Sequence, residues 1–382
     1  MLDKDILYIG VNDKDIDLFE GQFVVENGMA YNSYIINDEK IAVFDTVDKN
    51  FVDEWLNNIE KSLGEKEPDY LIVQHVEPDH SAGILSFVSK YKNAKVVATN
   101  QALTMINNYY HVNNSEKLIA VKDGQTFSLG RHQLTFYTAP MVHWPEVMLT
   151  LDATTSTLFS ADAFGKFGAL DTDEDWACEA RRYYFGIVGK YGANVQALLK
   201  KLSNVEIKTI CPLHGPILTE NLGYYLDLYN TWSSYTPEAK GVVICYTSVY
   251  GNTKKAVDLL QSKLIEKGVK VSVFDLARND MAEAVEDAFK YDRLVLATTT
   301  YNSDIFPFMR TFIEALKERN YKNRTIAFIE NGSWAPLATK VMKGLLENQK
   351  DITYTENNVK ILSSLNEEST AQVISLAEEL SK

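Results

Sequence analysis

Two kinds of hydrophobic pattern divide the chain. In its first two-thirds, short apolar runs of strand length are separated by apolar positions at helical spacing. The strand-like runs cover residues 41–44, 71–73, 96–98, 134–137, 147–151 and 157–159. Helical spacing is clearest where Phe51, Trp55 and Ile59 repeat at four-residue steps. This pattern predicts a mixed α/β region with more strands than helices.

From Val242 the pattern becomes regular. Five strand-like runs alternate with five stretches of helical spacing, at 253–267, 281–291, 307–319, 336–348 and 367–380. Such alternation predicts a doubly wound, five-stranded parallel sheet. A polar stretch that contains Pro237, residues 233–240, separates the two patterns and indicates a linker. We therefore predict two domains, residues 1–238 and residues 239–382.

Composition narrows the class of protein. The chain has 382 residues, 46% of them hydrophobic and 24% charged, which is typical of a globular protein with more than one domain. Its formal net charge of −14 argues against a nucleic-acid partner, because phosphate binding relies on Lys and Arg. The three cysteines form no CxxC pair and indicate a reducing compartment. No signal peptide and no run of about eighteen apolar residues is seen, so we expect a cytoplasmic protein without a membrane span.

Seven side chains of the kind that bind metals come after strand-like runs. The segment H-V-E-P-D-H follows one run, and three further positions each follow a later one. The seven residues are His75, Glu77, Asp79, His80, His143, Asp162 and His214. Because strand ends in a mixed sheet converge on one rim, we expect these side chains to be able to meet. Four of the six histidines belong to this pattern, whereas His111 and His132 do not and are interpreted as structural.

Each of these residues, taken alone, has an ordinary explanation. Asp79 is suited to cap a helix that begins at Ser81, and Glu77 is suited to be a solvated loop carboxylate. A single His143 or His214 would more often be a hydrogen-bonded core or surface imidazole. It is the combination of histidines and carboxylates at successive strand ends that favours a metal site.

A second group of candidates lies in the regular part of the chain. Ser248, Asn252 and Thr253 stand between its first strand and first helix, where backbone N–H groups and the helix dipole attract phosphate. The segments T-T-Y-N-S-D-I-F-P and E-N-G-S-W-A-P follow the third and fourth strands. Their Tyr301 and Trp334 are either surface aromatics or residues that pack on a bound ring system. No G-x-G-x-x-G opens a helix, which argues against a dinucleotide.

The H-x-E-x-D-H string with its later His, Asp and His resembles the metallo-β-lactamase superfamily, whose usual motif has a second histidine where Glu77 stands. A carboxylate there adds negative charge and a harder oxygen ligand, which favours iron over a closed zinc site. This version of the motif, together with M-V-H-W-P-E-V-M, C-P-L-H-G-P and G-M-A-Y-N-S-Y, is similar to flavodiiron proteins without a fused rubredoxin. The resemblance covers essentially the whole chain. It implies an N-terminal metallo-β-lactamase-like αββα sandwich followed by a C-terminal flavodoxin-like domain.

The resemblance also assigns roles to residues. It makes His75, Glu77 and His143 ligands of one iron and Asp79, His80 and His214 ligands of the other, with Asp162 bridging the two. It places FMN against Thr247, Ser248, Tyr250, Gly251, Asn252, Thr253, Thr300, Tyr301, Asn302, Asn331, Gly332, Ser333 and Trp334. Tyr191 falls near a family tyrosine that hydrogen-bonds or donates a proton to metal-bound substrate, although a packed side chain with a solvated hydroxyl explains it as well.

The implied activity is the reduction of dioxygen to water, of nitric oxide to nitrous oxide, or of both, with FMN and two iron ions as cofactors. We favour dioxygen. Electrons would come from a separate rubredoxin-like protein, or from a reduced deazaflavin. A head-to-tail homodimer or a dimer of dimers is expected, in which the flavin of one chain faces the irons of the other. Two alternatives stay open: a zinc-dependent hydrolase with an appended flavin domain, against which Glu77 argues, and a non-enzymatic electron carrier, against which seven intact ligands argue.

Overall fold

The computed structural model describes residues 2–112 and 115–382. The chain divides into two compact units, Met1–Asn230 and Thr231–Lys382. Each unit has its own sheets and its own apolar core, so each is described by itself. The domain boundary after residue 238 stays a prediction.

The first unit is built on two sheets. Its strands are β1 (Ile6–Tyr8), β2 (Val11–Asp13), β3 (Leu18–Phe19), β4 (Phe23–Val24), β5 (Met29–Tyr31), β6 (Tyr34–Asn37), β7 (Ile41–Phe44), β8 (Tyr70–Ile72), β9 (Lys95–Thr99), β10 (Leu118–Val121), β11 (Thr126–Ser128), β12 (Gln133–Thr138), β13 (Met148–Asp152), β14 (Thr157–Phe159) and β15 (Thr209–Cys211). One sheet has the order β1-β6-β7-β8-β9-β10 and the other the order β11-β12-β13-β14-β15. Strands β2 and β5 form a separate pair, and so do β3 and β4.

The two larger sheets share one apolar core. Ile36 and Phe44 of the first sheet and Phe136 and Phe159 of the second are fully buried in it. The rings of Phe44 and Phe159 stack with their centroids 4.1 Å apart, which joins the sheets directly.

The helices of the first unit are α1 (Val52–Leu63), α2 (Pro78–Ser81), α3 (Ile84–Lys90), α4 (Asn100–Tyr110), α5 (Trp176–Tyr183), α6 (Gly192–Leu202) and α7 (Leu222–Ser233), the last of which runs into the second unit. Helix α1 illustrates why these segments are helical. Its apolar residues recur at three- and four-residue steps, so that Trp55 and Ile59 are buried on one face of the helix. Together with the paired sheets, these helices confirm the predicted αββα sandwich.

The second unit has one principal sheet. Its strands are β16 (Ala239–Tyr246), β17 (Val271–Asp275), β18 (Tyr291–Tyr301), β19 (Asp304–Ile305), β20 (Arg324–Asn331), β21 (Ile352–Tyr354) and β22 (Val359–Ile361), and its helices are α8 (Asn252–Glu266), α9 (Met281–Lys290), α10 (Pro307–Glu318), α11 (Ala338–Leu346) and α12 (Glu367–Glu379). The main strands are parallel in the order β17-β16-β18-β20-β21, with β22 also paired to β20. Helices α8 and α12 cover one face, where Leu260 and Leu376 pack on Ile244 and Ile329. The predicted doubly wound flavodoxin-like class is confirmed.

One element of this sheet differs from the prediction. The sequence predicts a single fifth strand, whereas the structure has two short strands, β21 and β22, that pair with different parts of β20. The polar segment T-E-N-N at 355–358 lies between them and interrupts the apolar run. Among the described residues, no helix has the length and apolar character needed to cross a membrane.

His132 is a buried structural residue of the first unit. Its Nδ1 lies 2.8 Å from Asp152 Oδ2, and its Nε2 lies 3.7 Å from Asp5 Oδ2. Nearby, Arg131 forms ion pairs with both Asp3 and Asp5. Burial opposes a charge on the imidazole, but the hydrogen bond and charge of Asp152 raise the pKa of His132 above its usual value. The pair therefore fastens the start of β12 to the end of β13.

Replacing His132 with Asn tests this pair. The amide can still donate to Asp152 but carries no charge, so we expect the free energy of unfolding to fall by about 2 kcal/mol at pH 6. Because the folded-state pKa of His132 is raised, its stabilisation is complete below an unfolded-state pKa of about 6.5 and is lost as the pH rises through the folded-state pKa. Urea unfolding at pH 6 and pH 9 should show the difference between the two proteins shrinking at the higher pH.

The matched control is His111→Asn. His111 is exposed at the end of α4 and has a φ of 54°, a conformation that Asn tolerates. A loss of stability in His132→Asn that is equal at both pH values would show that the charge of the imidazole contributes nothing.

Candidate metal centre and cofactor cleft

The seven predicted metal ligands lie together in the first unit. They occupy, in chain order, the loop after β8 (His75, Glu77), helix α2 (Asp79, His80), the turn between β12 and β13 (His143), the loop after β14 (Asp162) and the loop after β15 (His214). Strands β7 and β8 are parallel, and so are β14 and β15, which brings their carboxyl ends to one edge of each sheet. Two groups of ligand-type atoms result, each within 4.8 Å: one from His75, Glu77, His143 and Asp162, and one from Asp79, His80 and His214.

The first group is arranged around two carboxylates. His143 Nε2 lies 3.1 Å from Glu77 Oε2 and 3.1 Å from Asp162 Oδ2. His75 Nε2 lies 3.1 Å from the same Glu77 oxygen and 3.5 Å from the same Asp162 oxygen. Two imidazole nitrogens and two carboxylate oxygens thus converge on one place.

The second group also brings imidazole nitrogens close to carboxylate oxygens. The Nε2 atoms of His80 and His214 are 3.0 Å apart, and they lie 3.2 Å and 3.3 Å from Asp79 Oδ2. Asp162 Oδ1 lies 3.1 Å from His80 Nε2. One oxygen of Asp162 therefore faces the first group and the other oxygen faces the second.

These residues fit a pair of metal ions. In the described part of the chain, both carboxylate oxygens of Asp79 and one of Asp162 are buried without a hydrogen bond. Buried carboxylates are otherwise paired or bound to metals, because burial of an isolated charge is costly. Facing imidazole nitrogens add neutral ligands, and a mixed set of imidazole and carboxylate suits iron.

The shifted pKa values of the first group show that a bound cation would replace protons on its side chains. Burial alone would lower the pKa of His143, but hydrogen bonds to Asp162 and Glu77 raise it to about 9. Burial alone would raise the pKa of Glu77, but hydrogen bonds from His143 and His75 hold it well below its usual range. The buried carboxylates are therefore stable only beside positive charge. Protonated histidines supply this charge in the metal-free protein, and metal ions would supply it when bound.

Neighbouring groups orient the ligands. The Nδ1 atom of His75 lies 2.8 Å from Glu146 Oε1, and that of His214 lies 2.7 Å from the carbonyl oxygen of Ala30. A hydrogen bond at Nδ1 turns the Nε2 atom of each ring toward the centre. Asp45 accepts from the backbone N–H of His75 at 3.2 Å and so fixes the start of the ligand loop.

Tyr183 adjoins the cluster and was not predicted from the sequence. It is fully buried at the end of α5, and its ring meets that of His214 edge-on with centroids 5.4 Å apart. Burial, followed by the charges of the cluster's carboxylates, raises its pKa well above the usual value. Tyr191 ends the neighbouring 3₁₀ turn Gly189–Tyr191 and is partly exposed, and its catalytic role stays a prediction.

Glu20 is a second residue that the sequence did not indicate. It lies in the turn between β3 and β4, where its φ of 48° and the φ of 67° at Gly21 reverse the chain. Its carboxyl group accepts a hydrogen bond from Gln22 Nε2 at 3.2 Å. Burial, followed by the negative charge of Glu77, raises the pKa of Glu20 to about 7.

The second unit contains a cleft of about 530 Å³ formed by the loops that follow β16, β18, β20 and β22. Of the predicted cofactor-binding residues, those that line it are Ser248, Tyr250, Asn252, Thr253, Thr300, Tyr301, Asn302, Asn331, Gly332, Ser333 and Trp334. Thr247 lies behind the lining with its hydroxyl 2.6 Å from that of Thr298, and Gly251 begins α8 with a φ of 85°. Val249, Thr299, Ser303, Ala335, Leu337 and Ser363 also line the cleft and were not predicted.

Hydrogen bonds join the loops of this cleft. Asn331 Nδ2 donates to Thr253 Oγ1 at 3.4 Å and to the carbonyl oxygen of Ser363 at 3.2 Å. The N-cap residue of α8, Gly251, has no side chain to accept a hydrogen bond, and Ser248 Oγ accepts one from the N–H of Lys254 at 3.3 Å, so the other N–H groups of the first turn are suited to a phosphate. Tyr250 and Trp334 stand at the rim and are 91% and 82% exposed, which leaves aromatic surface for a ring system to pack on.

Comparison with known proteins assigns a family to each part of the chain. A family described as ODP family beta lactamase matches residues 29–215, and a flavodoxin domain matches residues 243–362. The chain is 30% identical to a nitric oxide reductase of Moorella thermoacetica over 357 residues, which cover 90% of this chain and 88% of that protein.

Solved structures have the same fold along the whole chain. Rubredoxin oxygen:oxidoreductase from Desulfovibrio gigas superposes with a TM-score of 0.92 at 23% identity, covering 100% of this chain and 97% of the other. The flavodiiron protein from Giardia intestinalis gives a TM-score of 0.91 at 23% identity, covering 98% and 95%. The sequence relative that spans both domains, together with these folds, shows that the chain belongs to the flavodiiron protein family, with FMN and two iron ions as its cofactors.

Proposed function

We propose that this protein is an oxidoreductase that passes electrons from FMN to a pair of irons and reduces dioxygen to water, nitric oxide to nitrous oxide, or both. The observation that carries the proposal is Asp162, whose two oxygens face two separate groups of imidazoles and carboxylates. The names of the similar proteins from Moorella thermoacetica and Desulfovibrio gigas refer to these two gases.

In this proposal the metal ligands are those predicted from the sequence. One iron would be held by His75, Glu77 and His143, the other by Asp79, His80 and His214, and Asp162 would be shared. When bound, FMN supplies single electrons and the irons bind and reduce the gas. Glu77 argues against the alternative of a zinc hydrolase, because a carboxylate in place of an imidazole makes the first group harder and more negative.

Aromatic side chains pack beside this centre and limit the access of water to it. Phe19 packs edge-on against His214 with centroids 5.3 Å apart, and Phe167 packs on Tyr183 at 5.2 Å. An apolar wall thus lies beside imidazoles that Glu146 and Ala30 orient. Exclusion of water strengthens the electrostatic interactions inside such a pocket and hinders the escape of partly reduced oxygen.

In the second unit, the N-terminus of α8 would hold the FMN phosphate, and Tyr301 and Trp334 would pack on its ring. Two features support this placement: Gly251 leaves the helix N-terminus open, and the loops around Asn331 are held together by hydrogen bonds. A head-to-tail homodimer in the cytoplasm and a rubredoxin-like donor complete the proposal. The exposed rim of the cleft, at Tyr250 and Trp334, is where the donor or the partner chain would approach.

Metal and flavin content, followed by gas reactivity, tests the proposed function. We expect two irons and one FMN per chain, and rapid reoxidation of the reduced protein by dioxygen or nitric oxide. Glu77→Ala should lower iron content and abolish gas reduction while leaving FMN bound, because Glu77 contacts two imidazoles of the first group. Zinc in place of iron, with no gas reactivity, would favour the hydrolase instead.

Glu26→Ala is the control for Glu77→Ala. Glu26 is an exposed acidic residue of the same unit, so its removal changes the net charge equally without altering the cluster. Full gas reduction by Glu77→Ala would refute the two-iron mechanism.

Asn252→Asp tests the phosphate end of the cleft. A carboxylate at the start of α8 would repel the phosphate, so we expect FMN affinity to fall about tenfold, as fluorescence titration of the flavin-free protein would show. Asp is favourable at a helix N-terminus, so the variant should not unfold. Gln261→Glu makes the same change of charge farther along α8 and should bind FMN normally. Unchanged affinity in Asn252→Asp would place the phosphate elsewhere.

Tyr183→Phe and Tyr191→Phe compare the two candidate tyrosines. Tyr183 lies within the electrostatic reach of Asp162 and packs on His214, so we expect loss of its hydroxyl to slow gas turnover about tenfold or more with iron content unchanged. Tyr191→Phe should have less effect, because Tyr191 is partly exposed on the neighbouring turn. The opposite ranking, measured as kcat at matched iron content, would support the role predicted for Tyr191.

A further inference from the structure

The loop after β15 carries His214 between two buried backbone carbonyl groups, those of Pro212 and Gly215. Asn32 donates from one atom, Nδ2, to both of these carbonyl oxygens, at 2.9 Å and 2.8 Å. The backbone N–H of Asn32 also donates to the carbonyl oxygen of Leu213 at 2.8 Å. A single, fully buried residue therefore holds the loop on both sides of His214.

Two tyrosines complete this contact. The hydroxyl of Tyr8 donates to Asn32 Oδ1 at 3.0 Å, and the hydroxyl of Tyr34, which is fully buried, donates to the carbonyl oxygen of Pro212 at 2.8 Å. The reverse orientation of the Asn32 amide would set its oxygen against two carbonyl oxygens, so the side chain has one satisfactory orientation. The position of the loop is thus specified by side-chain hydrogen bonds as well as by the sheet.

The same loop is joined to the segment that carries Asp162. The N–H of Leu213 donates to the carbonyl oxygen of Ala161, directly before Asp162, at 2.9 Å. With the loop held both there and at Asn32, His214 Nε2 lies 3.8 Å from Asp162 Oδ1. The loop therefore sets the distance between the imidazole of the second ligand group and the shared carboxylate.

The contacts of Asn32 concern the second ligand group alone. All of the described hydrogen bonds of its side chain go to the loop of His214 or to Tyr8. The ligands of the first group other than Asp162 lie on the loop after β8 and on the turn between β12 and β13. Loss of Asn32 would release the loop of His214 and leave those two segments in place.

We propose that Asn32 is a positioning residue that holds His214 for the second of the two metal ions, so that its loss weakens one site and spares the other. This inference rests on the proposed function. Two buried carbonyl groups without a donor would turn or move toward water, because an unpaired buried polar group is costly. The imidazole between them would then leave its place beside His80. The role accounts for the buried amide in the G-M-A-Y-N-S-Y segment.

Metal binding, measured without turnover, tests this role. The metal-free protein is titrated with Co²⁺, and the affinity of each of the two ions is obtained from the absorption of the bound metal. Asn32→Leu has a similarly branched side chain but donates to neither carbonyl oxygen. We expect one Co²⁺ ion to bind about 10- to 100-fold more weakly to this variant and the other to bind as in the wild type.

His214→Ala identifies the ion that is affected, because it removes the ligand itself. If Asn32 acts through His214, Asn32→Leu combined with His214→Ala should bind the remaining Co²⁺ ion as tightly as His214→Ala alone. Tyr34→Phe removes a single hydroxyl from the contact with Pro212 and should weaken the same ion about threefold. A weaker remaining ion in the double variant would overturn the inference.

His132→Asn is the matched control, since it alters a buried polar contact of the same unit outside both ligand groups. It should bind both Co²⁺ ions as the wild type does. Equal weakening of both ions in Asn32→Leu would show that Asn32 acts on stability alone and would overturn the inference, as would unchanged binding of both. If Asn32→Leu does not fold, unchanged binding by Tyr34→Phe would overturn it. A wild-type protein isolated with zinc and inactive toward both gases would refute the proposed function and leave the Co²⁺ result in place.

Discussion

The first unit depends on bringing several charged and polar side chains into a nearly dry interior. Four imidazoles and three carboxylates meet at the edge of its sheets, and Asp162 stands between two groups of them. In the absence of positive charge, such an arrangement would be strongly unfavourable, because each buried carboxylate loses its hydration. The sandwich is therefore arranged to hold cations. Its core keeps β7, β8, β14 and β15 in register so that the loops after these strands can share two ions.

Several residues near the proposed ligands have strained backbone conformations. Asp45, Met141 and Ala161 have positive φ values of 54°, 66° and 50°. Each lies close to a ligand or to a residue that supports one, and such conformations persist only where the surrounding packing enforces them. Ala161 directly precedes Asp162 and turns the chain abruptly at the end of β14. The rigid sheets thus stabilise a local geometry that an isolated loop would not keep.

The sequence was most informative where a regular element ends in a functional residue. The approach of the seven candidate metal ligands was predictable, because they come after apolar runs that form strands, whereas most of the cleft residues were indicated by the resemblance to the family. Glu20 was not predictable, since β3 and β4 have only two residues each and no motif marks the turn between them. Tyr183 was not predicted, because the only tyrosine that the resemblance indicated was Tyr191, and no motif in α5 or in the π-helical turn Tyr184–Val188 marks Tyr183 as a neighbour of the cluster. Ser363 was missed because the predicted fifth strand, V-K-I-L-S-S at residues 359–364, includes it, whereas β22 ends at Ile361 and leaves Ser363 in the loop that follows.

The two proposed cofactor sites suit groups of opposite charge, cations in the first unit and a phosphate in the second, in a chain of net charge −14. The first unit presents buried carboxylates, which suit cations. The cleft of the second unit presents a helix N-terminus, which suits a phosphate. Lys254 lies in the first turn of α8, but its ammonium group pairs with both oxygens of Asp258 at 2.7 Å and 2.8 Å. Since that charge is paired, the backbone dipoles of α8 would contribute attraction for the proposed phosphate, and a chain of negative net charge is compatible with an anionic cofactor.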